Sequence, residues 1–164
     1  MKFLFEVRHP AHLHHFYNTI QRLKNTGHEV RILAVKKDIL FELLDSLGLE
    51  YTTIGKNRKG ILNKLIELAK QDLKVFRFCR KYKPDLFVGR PSQTVTLNSR
   101  LLRIKSVIFA EDDLKAVLLN GLMAYPFAFT VVAPEVTNLS IFNKKKIGYS
   151  GYQKLAYLHP NYFK

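Results

Sequence analysis

Cysteine is almost missing from this chain. Cys79 stands alone among 164 residues, so no disulfide can form within the chain, and a reducing, cytoplasmic setting is expected. Acidic residues are scarce too: 13 Asp and Glu face 27 Lys and Arg, a formal net charge of +14. The eight glycines are scattered. No G-x-G-x-x-G follows the first apolar run and no Walker-type loop occurs, which disfavours an NAD or ATP enzyme and leaves no cofactor implied. A serine-nucleophile elbow, G-x-S-x-G, is missing as well. No internal repeat or low-complexity stretch is present, and no signal peptide is read at the amino end, where Lys2 leads into strand-like alternation with Glu6. Residues 116–134 carry no charge, but Asn120, Gly121, Pro126 and Thr130 interrupt them, so a helix followed by the strand "FAFTVVA" explains them better than a membrane span.

What is present is a globular pattern, with 47% hydrophobic and 12% aromatic residues. Short apolar runs ("KFLFEV", "EVRILAV", "EYTTI", "KPDLFVG", "SVIFA", "FTVVA") alternate with helical patterns. Leu13, Phe16, Tyr17, Ile20 and Leu23 sit at helical spacing after the first run, and Gly27 stops that helix. "DILFELLDSLG" reads as a second helix. Residues 61–82 read as a long amphipathic helix with Leu62, Leu65, Ile66, Ala69, Leu73, Phe76 and Cys79 on its apolar stripe. "TVTLNSRLLRI" predicts a short helix and residues 113–125 another, and "KKIGYSGYQKLAYLHP" a strand or turn with a tail. This order predicts one α/β domain over 1–164, with a parallel six- or seven-stranded sheet and helices on both faces.

Charge is concentrated. Between Lys56 and Lys83 ten cations face only Glu67 and Asp72. Such a run is usually a solvated helix face. The net charge also points to an anionic partner, whether nucleic acid, an acidic membrane surface or a phosphorylated ligand. No recognition-helix, RRM or KH signature supports nucleic acid, which is therefore disfavoured.

In a parallel sheet, ligands bind beyond the carboxyl ends of the strands. That rule selects "RHPAH", "GRPSQT", "AEDD" and "APE". The first belongs to "RHPAHLHHF", which holds four of the six histidines, His9, His12, His14 and His15. A metal site is one reading, but H-E-x-x-H is missing, the cysteine is alone and no carboxylate lies inside the cluster, so no metal ligand is assigned. Proton chemistry is another, because a helix amino terminus favours neutral imidazole, the form that accepts a proton near pH 7. A third reading is local: one helix cannot aim every histidine into one cleft, so His14 and His15 remain ambiguous between packing and ligand contact.

"P-x-H-x-H-x-F" after the first strand, "GHEVRILA", "LGLEYTTIG", "YKPDLFVG" and "GYSGYQKLAYLHPNYF" together resemble a family of GT-B-like proteins related to UDP-GlcNAc 2-epimerases and MurG-type GlcNAc transferases. The resemblance covers essentially the whole chain but only the amino-terminal, acceptor-side, Rossmann-like half of such a protein. It implies a carboxyl-terminal nucleotide-sugar domain that is absent from these 164 residues, supplied by a longer chain or a separate subunit, as in the split GlcNAc transferase that acts on dolichol-linked lipid. In MurG-type relatives a histidine precedes that of the "GHEV" segment by sixteen residues; His12 stands sixteen before His28 and so takes the role of base toward an acceptor hydroxyl. Arg8, His9, His14, Arg90, Ser92, Glu111 and Asp112 are the expected substrate contacts. The resemblance implies a UDP-sugar and a glycan or lipid-linked acceptor as partners, with surface polysaccharide or glycolipid synthesis as the setting and no turnover by this half alone. A sugar-nucleotide epimerase is the alternative. Basic helix 61–82 is expected to rest on an anionic membrane. The glycine-rich first turn of those relatives is replaced by Arg8, His9, Pro10 and Ala11.

Overall fold

The computed structural model describes residues 1–56 and 60–162. Seven strands alternate with helices: β1 (Lys2–Val7), α1 (Pro10–Asn25), β2 (Glu29–Lys36), α2 (Leu40–Ser46), β3 (Thr52–Lys56), α3 (Ile61–Tyr82), β4 (Leu86–Gly89), α4 (Gln93–Leu101), β5 (Lys105–Phe109), α5 (Leu118–Ala124), β6 (Thr130–Pro134), β7 (Lys146–Tyr149) and α6 (Leu155–Leu158). All neighbouring strands pair in parallel, in the order β3-β2-β1-β4-β5-β6-β7. The expected parallel α/β sheet is therefore present with seven strands.

Apolar strands with side chains on alternate faces dictate two cores. Phe5, Val7, Ile32 and Ala34 pack under α1 and α2 with Leu13, Phe16, Ile20, Leu40 and Leu44. Leu4, Leu33, Val35, Phe87 and Ile108 pack on the other face with Val75 and Cys79 of α3, Val95 of α4 and Ala124 of α5. Each fully buried large side chain contributes about 1.5–3 kcal/mol relative to leaving it in water. Helix α1 begins where the extended His9 accepts the Ala11 N–H on its ring, with Pro10 in the first turn, and ends before Gly27 at φ 79°.

Two expectations need correction. The helix expected over 113–125 starts only at Leu118. Asp113 Oδ1 accepts the Asn138 N–H at 2.6 Å, and the Leu114 N–H donates to the Asn138 carbonyl, so this segment serves the loop after β6. The apolar stripe of α3 is buried only toward its carboxyl end, where Cys79 joins the core and Phe76 is half-buried. Leu62 is 70% exposed, Leu65 59%, Ile66 46% and Leu73 48%, while Gln71, Val75 and Cys79 point inward. The residues at i, i+4 and i+8 that face the sheet include a glutamine because an arginine waits there, as described below. Among the described residues, no helix is long and apolar enough to cross a membrane.

The sheet order sets the place for a ligand. From the β1–β4 pair the strand order proceeds across the sheet to β2 and β3 on one side and to β5, β6 and β7 on the other, so the loops after β1 and β4 diverge and leave a crevice at their carboxyl ends.

Candidate functional site

Arg8 leaves β1 at that crevice. Its Nη2 pairs with Glu6 Oε1 at 2.8 Å and donates to Thr94 Oγ1 at 3.0 Å, and its Nη1 donates to Gln71 Oε1 at 3.0 Å. Glu6 is 1% exposed, directed from β1 toward α3 and α4. Gly89 faces it across β4, and a Cβ there would meet Val95 at 3.0 Å. Burial pulls the Arg8 guanidinium down, but Glu6 and Asp72 together more than offset it, so the net displacement is upward. Arg8 therefore stays charged inside a polar network joining β1, α3 and α4.

His12 sits in the first turn of α1 over the same crevice. Its Nδ1 lies 3.4 Å from the Arg8 backbone N–H, a long hydrogen bond that leaves the ring proton of the neutral imidazole on Nε2. Burial, followed by Arg90, His9, Arg8 and His15, lowers its pKa to about 3. His15 falls to about 4, from burial and Arg90. Its ring stacks on Phe16 and meets Phe109 edge-on, centroids 4.6 and 5.0 Å away, which makes it a packing residue of the crevice floor. His9 caps α1 and stands 3.8 Å from Asp38. His14 is exposed and stacks on Tyr157 of α6, centroids 5.9 Å apart.

Arg90 follows β4. Its Nη2 lies 3.5 Å from Glu111 Oε2, beyond β5, and its Nη1 donates to Gln153 Oε1. Burial pulls it down, while Glu111 and Asp112 act in the opposite direction. Asp112 is exposed, and Ser92 is the residue before α4, its carbonyl taken by Thr96 and its hydroxyl not used as a cap. Around Arg90 lie three polar atoms that are buried without a partner: Tyr125 Oη, Tyr149 Oη and Gln153 Nε2. Such atoms cost free energy unless water or a ligand meets them.

Of the residues expected at the site, Arg8, His9, His12, Arg90 and Glu111 converge, with Asp112 at the rim. Glu6, Gln71, Thr94, Tyr125, Tyr149 and Gln153 were not foreseen. Only Glu6 carried a signal, a lone carboxylate within the apolar run Phe3–Val7. No group of three or more His, Cys, Asp or Glu side chains among the described residues stands close enough to hold a metal ion. The arrangement can hold an anion against Arg90 and present a neutral imidazole to it.

Residues 1–154 match the family described as "Protein of unknown function (DUF354)". The chain belongs to that family. Among curated proteins no sequence matches. Solved structures do match in fold. The UDP-GlcNAc 2-epimerase of Methanocaldococcus jannaschii superposes with a TM-score of 0.73 at 14% identity, over 96% of this chain and 48% of that one. MurG of Acinetobacter baumannii gives 0.73 at 16% identity, over 92% and 46%. The UDP-GlcNAc 2-epimerase of Neisseria meningitidis, bound to UDP-GlcNAc, gives 0.70 at 14%, over 93% and 47%. The chain thus spans about half the length of these structures and has the Rossmann-like fold of the amino-terminal half of a GT-B protein.

Proposed function

We propose that this chain is the acceptor-side half of a GT-B enzyme that uses a nucleotide sugar, a glycosyltransferase acting on a surface glycan or lipid-linked acceptor. A second domain or a separate subunit would grip the UDP-sugar. The observation that carries this reading is the meeting of Arg8, His12, Arg90 and Glu111 at the crevice where the strand order reverses. The fold shared with MurG and with an epimerase solved bound to UDP-GlcNAc supports the choice of ligand.

In the proposed reaction an acceptor hydroxyl displaces the long Arg8 N–H contact at His12 Nδ1 and passes its proton to that lone pair. The oxygen attacks the anomeric carbon and the nucleoside diphosphate departs. Arg90, held by Glu111 and Gln153, faces the developing negative charge. The epimerase reading is favoured by one feature, the Glu111 carboxylate beside Arg90, which supplies an acid/base group away from His12. Release of UDP with an altered sugar from UDP-GlcNAc, with no acceptor added, would decide for it.

Membrane contact belongs to the same proposal. Leu62, Leu65, Ile66 and Leu73 lie exposed on α3 among Lys64, Lys70, Lys74 and Arg77. Each cation near an anionic surface adds on the order of 1 kcal/mol, enough for reversible attachment.

A thermal-shift titration with UDP-sugars tests the central reading, on this chain and on a form extended by the second half. At a hundredfold excess over Kd, binding stabilises by about 2.7 kcal/mol and raises Tm. An extended form that ignores every UDP-sugar would end it.

A further inference from the structure

Beside the crevice lies a second cavity that the proposed chemistry does not use. It has a volume of about 340 Å³ and is lined by Arg8, Lys37, Lys56, Lys64, Glu67 and Gln71, with Val35 and Leu68 as its apolar wall. It opens at the carboxyl ends of β1, β2 and β3 against α3, on the same sheet edge as His12. From this cavity we propose a binding site for a phosphate or diphosphate group, contributed by the acceptor. The proposal rests on the sugar-transfer reading for the word acceptor, but not for the site itself.

The charges decide its sign. Glu6 is buried and already neutralises Arg8. Glu67 accepts the Lys56 N–H at 3.1 Å, so one carboxylate oxygen is turned to the backbone of β3. Against that single carboxylate stand three ammonium groups, Lys37, Lys56 and Lys64, and no ion pair among the described residues engages any of them. Like charges gathered round a concave wall repel one another and raise the local concentration of anions. A diphosphate relieves that repulsion. A neutral sugar does not.

The wall is also built to stay open toward Arg8. At Gly55 an added Cβ would lie 2.5 Å from Glu67 Oε1 and 2.7 Å from Gln71 Cγ, so α3 rests directly on the backbone of β3. That contact sets Gln71, which in turn holds Arg8 Nη1 at 3.0 Å, at the floor of the cavity. The end of α1 offers no rival anion site. Pro10 has no N–H, His9 caps Ala11, and the His12 N–H donates to the His9 carbonyl at 2.9 Å.

Calorimetric titration of this chain with inorganic pyrophosphate, at constant near-physiological ionic strength, tests the site. The expected result is saturable binding that the double substitution Lys37→Ala, Lys64→Ala weakens by about tenfold or more. The charge-matched pair Lys24→Ala, Lys81→Ala, on exposed positions elsewhere, should leave it within about twofold. Unsaturable heats, or equal weakening by both pairs, would overturn the proposal by reducing it to bulk charge. Vesicles of phosphatidylcholine doped with phosphatidic acid separate the sources. Pyrophosphate that displaces the chain from them assigns a lipid phosphate, and pyrophosphate binding without vesicle binding assigns a soluble one. Because pyrophosphate carries neither sugar nor nucleoside, failure here leaves the UDP-sugar titration standing, and the reverse holds too.

Discussion

Two arginines leave neighbouring strands at the same edge of the sheet, and they do different work. Their side chains are covered alike, 27% exposed for Arg8 and 20% for Arg90. Their carboxylate partners are not. Glu6 is 1% exposed and 2.8 Å away, whereas Glu111 is 30% exposed and 3.5 Å away. A pair whose carboxylate is fully enclosed cannot be released without stranding a charge, so Arg8 belongs to the framework. Buried polar atoms without a partner stand beside both arginines, but the carboxylate of Arg90 is farther away and more exposed, so Arg90 is the arginine freer to answer a ligand. Equal exposure of a residue says little until the burial of its partner is known.

The largest effect should come from breaking the enclosed pair. Glu6→Gln leaves Arg8 without its counter-charge, and urea unfolding should show a loss of roughly 2–4 kcal/mol, below the range for fully buried pairs because Arg8 keeps some solvent. A loss under 1 kcal/mol would make Glu6 no more than a surface-like partner. Gly55→Ala should follow, at about 1–3 kcal/mol, since Gln71 and Glu67 must retreat from the new Cβ. Arg90→Ala should cost less stability and act on the histidines instead. Without that cation, His12 and His15 lose a cause of their depression, and NMR titration of their ring protons should show both pKa values rising. Unmoved titrations would separate Arg90 from the imidazoles.

The same two histidines set a pH dependence. Both are depressed in the fold, to about 3 and about 4, from an ordinary 6.5. The unfolded chain therefore binds more protons below pH 6.5, and the stabilisation present above that pH drains away as pH falls toward 4. Each histidine contributes a slope of up to about 1.4 kcal/mol per pH unit in that window. Chemical unfolding at a series of pH values checks it, and a His15→Phe variant with a shallower slope would assign its share.

The sheet was legible because buried parallel strands are short apolar runs, and the crevice was legible because topology places ligands at their carboxyl ends. Strand β7, "KIGY", was legible only as a strand or turn because it is short and its edge position leaves Ile147 exposed. The stripe on α3 misled because periodicity marks an apolar face without saying what covers it. Gln71, Tyr125, Tyr149 and Gln153 carried no local signal. They matter through partners far along the chain, such as Arg8 for Gln71 and Arg90 for Gln153, each 63 positions away. His14, an expected substrate contact, lies exposed on α1 with its ring against Tyr157 of the terminal segment.

Turnover by the extended form tests the central claim most directly, comparing wild type with His12→Ala under an unchanged circular dichroism spectrum. Loss of sugar transfer by about 10²–10⁴ is the predicted result, the usual contribution of a positioned proton acceptor. Transfer at the wild-type rate would contradict the assignment of His12 to the reacting hydroxyl.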